Sequence, residues 1–172
     1  MFSTKVQDAI NVQINNELSS SYSYLAMSIY CDRENLLGCS KWLRIQSEEE
    51  YGHAMRLLDF LLARDGEAKL QAVAEPPAKF KSVAQVFEQA LEQEQRVSKQ
   101  IDDLYELTLK ERAFAALVEM QWFITEQVEE ERTTREIVAK FNLAKDDPAA
   151  ILSIDRELGG RGPGETAGRP TT

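Results

Sequence analysis

The single histidine of the chain, His53, follows three consecutive glutamates, Glu48, Glu49 and Glu50, inside a stretch of helical apolar periodicity. Residues three apart on a helix share a face, so the Glu50 carboxylate and the His53 imidazole can converge on one ion. Taken alone, these residues fit a solvated helix face equally well. Acids elsewhere in the chain tip the balance. Glu17, Glu50, Glu94, Gln127 and Glu130 all stand in apolar stripes, where aliphatic residues are expected. Burying a carboxylate without compensation costs several kcal/mol, and the stripes hold too few lysines and arginines to compensate. A shared cation would.

The spacing shows that these residues can meet. Adding 77 to positions 17, 49, 50 and 53 gives 94, 126, 127 and 130, which hold Glu, Glu, Gln and Glu. This offset indicates two helical hairpins related by a pseudo-twofold axis, with a polar site between them. The alternative to a metal centre is a fortuitous buried polar layer.

Four long helices must position these side chains. The first runs from Thr4 to about Asp32, opened by the capping box Thr4-Lys5-Val6-Gln7 and striped by Val6, Ile10, Ile14, Leu18, Ser21, Leu25 and Ile29. After turn signals at Asn35 and Gly38, the second carries Trp42, Leu43, Gln46, Glu50, His53, Leu57 and Leu61 to about Arg64. Asp65-Gly66 ends it, with Gly66 suited to a left-handed backbone.

Residues 67–81, including Pro76-Pro77, are aperiodic. They can span roughly 50 Å, whereas a helix of about 30 residues is roughly 45 Å long. This connection can return the chain to the far end of a bundle and make the second and third helices parallel.

Ser82-Val83-Ala84-Gln85 is a capping box that opens a third helix striped by Val86, Phe87, Ala90, Glu94, Val97, Ile101, Leu104 and Tyr105. A fourth carries Phe114, Leu117, Met120, Ile124, Gln127, Glu130, Thr134, Ile137 and Phe141. The break between them, near Glu111-Arg112, has neither Gly nor Pro. One unbroken helix of about 60 residues is the alternative, against a globular average of about 12. Asp147-Pro148 starts a short fifth helix through Leu158. Gly159 to Thr172, rich in Gly, Pro, Thr and Arg, reads as a flexible tail. The expected architecture is all-α: one domain over residues 1–158, a four-helix bundle with one long crossover and a short fifth helix, followed by the tail at 159–172.

Composition fits a single folded domain of 172 residues. A net charge of −9 argues against nucleic acid and anionic membrane as partners and suits cations. Met1 to Ser20 shows no secretory pattern, and the longest apolar stretch, Leu57 to Ala63, is broken by Asp59 and too short to cross a bilayer. The expectation is a cytoplasmic protein, or the mature form of one imported into an organelle. Cys31 and Cys39 read as small buried hydrophobes flanking a helix–helix turn.

Glu17, Glu50-Tyr51-Gly52-His53, Glu94 and Gln127-Val128-Glu129-Glu130 resemble the ferroxidase centre of the ferritin family, and the resemblance covers residues 1–158. Symmetrical di-iron bundles have two Glu-x-x-His pairs; this chain has one. That departs from bacterioferritin, and Gly52 stands where bacterioferritins carry a haem-ligating methionine, so no haem is expected. Two cysteines cannot form the rubredoxin-like site of a rubrerythrin. The pattern is similar to the bacterial-type non-haem ferritins.

That resemblance implies that Glu17, Glu50 and His53 hold a first iron, with Glu50 bridging, and that Glu94 and Glu130 hold a second, assisted by Gln127. It implies a third, inward-facing iron site at Glu49, Glu126 and Glu129 with Glu130 shared; a solvated face is the alternative for those acids. Tyr24 resembles the tyrosine beside the di-iron centre, hydrogen-bonding a ligand or donating an electron, with a plain core tyrosine as the alternative. Trp122 reads as packing. The implied activity is oxidation of Fe(II) by dioxygen or hydrogen peroxide, with storage as ferric oxyhydroxide inside a homo-oligomeric cage of 24 subunits. Two other classes stay open on the residues: a di-iron oxidase or peroxidase acting on a separate substrate, and a non-catalytic helical assembly.

Overall fold

The structure, a computed structural model, describes residues 3–162. It contains α1 (Thr4–Arg33), α2 (Leu37–Ala63), α3 (Val83–Lys110), α4 (Phe114–Ala144) and α5 (Pro148–Gly159). Capping chemistry sets most of the starts. Ser3, not Thr4, caps α1, its hydroxyl accepting from Val6 N at 3.4 Å, so the first cap lies one residue earlier than the motif suggested. Ser82 caps α3 by accepting from Gln85 N at 3.2 Å, while Gln85 Oε1 accepts from Lys81 N at 2.7 Å. Asp147 caps α5 by accepting from Ala149 N at 3.0 Å, with Pro148 in the first turn.

The helix ends rely on left-handed residues that are not glycine: Asn35 (φ 59), Asp65 (φ 56), Arg112 (φ 53) and Lys145 (φ 51). Asp65, rather than Gly66, turns the chain after α2. Gly66 serves a different need, because a Cβ there would lie 2.4 Å from Leu61 Cδ1. At Arg112 the chain leaves α3, and Ala113 N returns to Thr108 O at 2.9 Å, the wrapped form of a helix C-terminus. α3 and α4 are therefore two helices.

α1 packs on α2, α3 on α4, and α1 also meets α3. The crossover runs along α1. At its start, Asn11 Nδ2 donates to Glu67 O at 2.9 Å and Asn11 Oδ1 accepts from Lys69 N at 2.6 Å; near its end, Phe80 meets Tyr30 edge-on at 5.1 Å. Asn11 and Tyr30 lie toward opposite ends of α1, so α2 and α3 run parallel.

Two apolar clusters fill the bundle. Tyr24, Trp42, Leu43, Phe87 and Phe141 belong to one, and Ile10, Ile14, Leu57, Leu61, Ile101 and Met120 to the other. A buried polar layer separates them. The expected stripe of α1 needs correction: Leu25 and Ile29 are exposed, and the buried line continues through Tyr24, Met27 and Cys31. A strict four-residue step overshoots a turn by about 40° each time, so such a stripe walks off the buried face. Phe114 is likewise exposed. Cys31 and Cys39 are free and fully buried, and burial pushes the Cys31 thiol up to about 12.

α5 extends to Gly159, and Arg161 is only 9% exposed. Residues 163–172, the remainder of the expected tail, lie outside the described residues. No helix among the described residues is long and apolar enough to cross a membrane.

Candidate metal centre

The polar layer receives Glu17 from α1, Glu50 and His53 from α2, Glu94 from α3, and Gln127 and Glu130 from α4, all buried. Helical spacing sets each pair on α2 and α4 one turn apart, and the two hairpins bring the four helices together at mid-height. Ligand atoms of Glu17, Glu50 and His53 lie within 4.8 Å of one another, the one such group of three among the described residues.

The two halves of the layer differ in how they are satisfied. On the first side, Glu17 Oε2, both oxygens of Glu50 and His53 Nδ1 have no hydrogen-bond partner. The Glu50 Oε2 to His53 Nδ1 separation is 3.6 Å, too long for a hydrogen bond. Gln13 Nε2 donates to the remaining Glu17 oxygen at 2.7 Å. On the second side the carboxylates have donors. Tyr24 donates its hydroxyl to Glu94 Oε1, Gln127 Nε2 donates to Glu94 Oε2 at 3.1 Å, and Gln46 Nε2 donates to Glu130 Oε2 at 2.9 Å.

Desolvation dominates the titration of the layer. It raises Glu17, lifts Glu50 and Glu130 well above the ordinary carboxylate range, and takes Glu94 to about 7. The charges of Glu94 and Glu17 push Glu50 up further, while the hydrogen bonds from Tyr24 and Gln127 pull Glu94 down. Burial, helped by the Arg56 charge, lowers His53 to about 4. At neutral pH the imidazole is therefore uncharged and able to ligate, while burial shifts the carboxyls toward their protonated forms, whose protons a cation would displace.

The donor set of hard oxygens with one imidazole, and the unpartnered atoms that converge, fit a transition-metal ion. His53 is held for it. Trp122 meets the imidazole edge-on at 5.4 Å and Phe123 at 5.9 Å, and the Arg56 guanidinium lies 4.0 Å over the Trp122 ring. Trp122 does pack, but against the histidine itself.

The acids expected at a third site lie beside this layer. Glu49 Oε2 receives Arg161 Nη2 at 2.7 Å. Glu126 lines a cleft with Glu49, Gly52, His53 and Trp122, and burial raises the Glu126 carboxyl, helped by the charges of half-buried Glu129 and of Glu49. Glu48 is exposed. Three residues of this neighbourhood escaped the sequence reading as site residues: Gln13, Gln46 and Arg161. Gln46 left a signal as a polar residue in an apolar stripe, and Gln13 sits one turn before Glu17. Arg161, in a glycine-rich segment, left none.

Residues 7–144 match the family described as the ferritin-like domain, Ferritin. The chain belongs to the ferritin family. The bacterial non-heme ferritin of Bacteroides fragilis is 41% identical over 161 residues, which are 94% of this chain and 100% of that protein. The bacterial non-heme ferritin of Staphylococcus aureus is 31% identical over 94% of this chain and 97% of its own length. Among solved structures, an open pore ferritin from the hyperthermophilic archaeon Archaeoglobus fulgidus superposes with a TM-score of 0.93 at 42% identity, covering 94% of this chain and 100% of the other. A closed form of the Archaeoglobus fulgidus ferritin, engineered by site-directed mutagenesis, gives 0.92 at 43% identity, over 94% and 99%. The chain is thus a member of an iron-storage family and carries a carboxylate–histidine group able to hold a metal.

Proposed function

We propose that this ferritin chain is a ferroxidase subunit that oxidises Fe(II) at a di-iron centre within its own bundle. The observation that carries the reading is the convergence of Glu17, Glu50 and His53, with four buried ligand atoms lacking any hydrogen-bond partner. Left without a cation, such atoms only destabilise the core. In this reading Glu17, Glu50 and His53 take the first ion, Glu94 and Glu130 the second, and Glu50 reaches both. Gln127 and Tyr24 orient Glu94, Gln46 orients Glu130, and Trp122 orients His53. Glu49, Glu126 and Glu129 are the acids available to a third ion.

The substrate is iron itself. Carboxylate oxygens favour Fe(III) over Fe(II), because the greater charge gains more from anionic ligands, so this donor set draws the ion toward oxidation. Two Fe(II) each lose one electron; one dioxygen takes both, with two protons, and leaves as hydrogen peroxide. The oxidised iron then passes to a ferric oxyhydroxide store inside a cage of 24 copies, an assembly inferred from kinship to ferritins. The net charge of −9 suits attraction of cations. Gly52 offers no thioether to a haem, so the reading is non-haem, and the proposed setting is the cytoplasm or, for the mature form of an imported protein, an organelle.

Anaerobic titration of the metal-free protein with Fe(II), followed by dioxygen, tests the reading when particle size is measured before and after. The expected result is saturable binding of about two or three ions per chain, rapid oxidation and a large particle that retains iron. Absence of saturable binding would remove the centre. Oxidation in a small particle that retains no iron would leave the centre and replace storage with a di-iron oxidase.

A further inference from the structure

α5 is locked against the start of α2 by backbone proximity. A Cβ on Gly38 would fall 1.7 Å from the carbonyl oxygen of Asp155, so only glycine lets the two helices come this close. Asp155 Oδ1 accepts from Cys39 N at 2.8 Å, and Lys41 Nζ donates to Gly159 O at 2.8 Å. These contacts aim the following residues. The chain passes Gly160 and delivers Arg161 inward, where its guanidinium lies 5.1 Å from the Trp42 ring centroid.

There the guanidinium reaches both Gln46 and Glu49. Nη1 donates to Gln46 Oε1 and Nη2 to Glu49 Oε2 at 2.7 Å. Gln46, so engaged, turns its amide to Glu130 Oε2 at 2.9 Å. One buried positive charge therefore acts directly on Glu49 and through Gln46 on Glu130. Glu49 is one of the three acids available to a third ion, and Glu130, which belongs to the second, is the one a third would share. A guanidinium stays charged at every pH a protein survives, and it repels any second cation brought to the same acids.

We propose that Arg161 is a specificity-determining residue of the centre, a built-in cation that occupies Glu49 and steadies Glu130, so that the chain binds two metal ions and excludes a third while α5 is docked. The proposal rests on the metal-binding reading above. It departs from the expectation of three ions from the acids alone, and it makes ion stoichiometry depend on a segment that follows the bundle.

Co(II) is a redox-stable probe for oxygen and imidazole ligands. The full-length parent, titrated by calorimetry, is expected to saturate at about two tightly held Co(II) per chain. Arg161→Gln is expected to saturate at about three, with the additional ion lost again when Glu126→Gln is combined with it. Arg161→Met, which keeps a long side chain against Trp42 but no charge, guards against a folding defect in the first variant and should also gain the ion. Arg161→Lys keeps the charge and should return the count to that of the parent, an outcome that a purely structural tether would not produce.

A parent that already holds the third ion as tightly as the charge-removed variants would overturn the proposal. So would variants, folded by circular dichroism and of parental particle size, that gain no ion. A parent binding no Co(II) tightly would instead remove the metal-binding reading itself, and this inference with it.

Discussion

Tyr24 on α1 reaches across the bundle to donate its hydroxyl to Glu94 Oε1 on α3, while Gln127 on α4 donates to the other oxygen of the same carboxylate at 3.1 Å. Three helices thus agree on the orientation of one carboxylate in the middle of the core. No comparable pair of donors holds Glu50 among the described residues, where both oxygens are unpartnered. One side of the layer is braced and the other is left open.

Tyr24→Phe removes one brace. A hydrogen bond to a charged group is worth about 1.5–3 kcal/mol, so affinity for the second ion should fall about tenfold or more, with the first ion unaffected. Anaerobic Fe(II) titration measures both. Unchanged affinity with slowed oxidation would instead show the phenol acting as an electron donor.

Glu50→Gln should stabilise the metal-free protein while destroying its first site. The carboxyl is 0% exposed, and it faces the charges of Glu94, Glu17 and Glu130. An amide is neutral without taking up a proton, and its N–H is a permanent donor for Glu17. A gain of about 1–3 kcal/mol in unfolding free energy is expected with chelator present, read by calorimetry. A loss of stability in the metal-free variant would contradict the account of Glu50 as an uncompensated buried acid.

The metal-free protein should lose stability as pH rises from about 5 to 8. Glu17, Glu50, Glu94 and Glu130 all have raised folded-state values, Glu94 at about 7. Such groups stabilise fully below their unfolded values, and that stability is lost as pH climbs through the folded ones. From Glu94 alone the loss is about 3 kcal/mol. His53, lowered to about 4, acts oppositely: its contribution is present above its unfolded value and is lost as pH falls toward 4. Four acids outweigh one imidazole over the upper range. Saturating Zn(II) should flatten the slope, because the bound ion replaces the protons. Thermal unfolding at pH 5.5 and 8, with chelator or with Zn(II), provides the comparison.

Gly38→Ala should be far more damaging than an alanine in a helix normally is. Alanine is the better helix former, yet its methyl would overlap the Asp155 carbonyl oxygen. Relief requires α5 to lift. A loss of about 2–4 kcal/mol is expected. Loss of the Arg161 contact should follow, visible as Co(II) stoichiometry shifted in the same direction as for Arg161→Gln.

Much of this was legible from residue types and spacing. Glutamates in apolar stripes, one histidine three positions after Glu50, and a recurrence at 77 residues placed Glu17, Glu50, His53, Glu94, Gln127 and Glu130 in one layer, because helical geometry converts spacing into height and face. The caps at Ser82 and Asp147 were equally legible, since they depend on side chains within a few residues of the backbone they satisfy. The left-handed turn at Asp65 was not: glycine is the usual signal there, and the close approach of Leu61, which requires Gly66, is a matter of packing. The exposed Leu25 and Ile29 mark a related limit, because a four-residue step drifts around the helix and only the neighbouring helices decide which face is covered.

The sequence by itself determined the helices, their order and the level at which the acids meet, all properties of local periodicity and chain length. Only the tertiary structure decided which of those acids would find donors. Tyr24 and Gln127 reach Glu94, and Gln46 reaches Glu130, from other helices. Arg161 reaches Glu49 from 112 residues away because Gly38 lets α5 dock. Hydrogen bonds act over about 3 Å, and nothing in a linear spacing fixes a distance that short between residues so far apart in the chain.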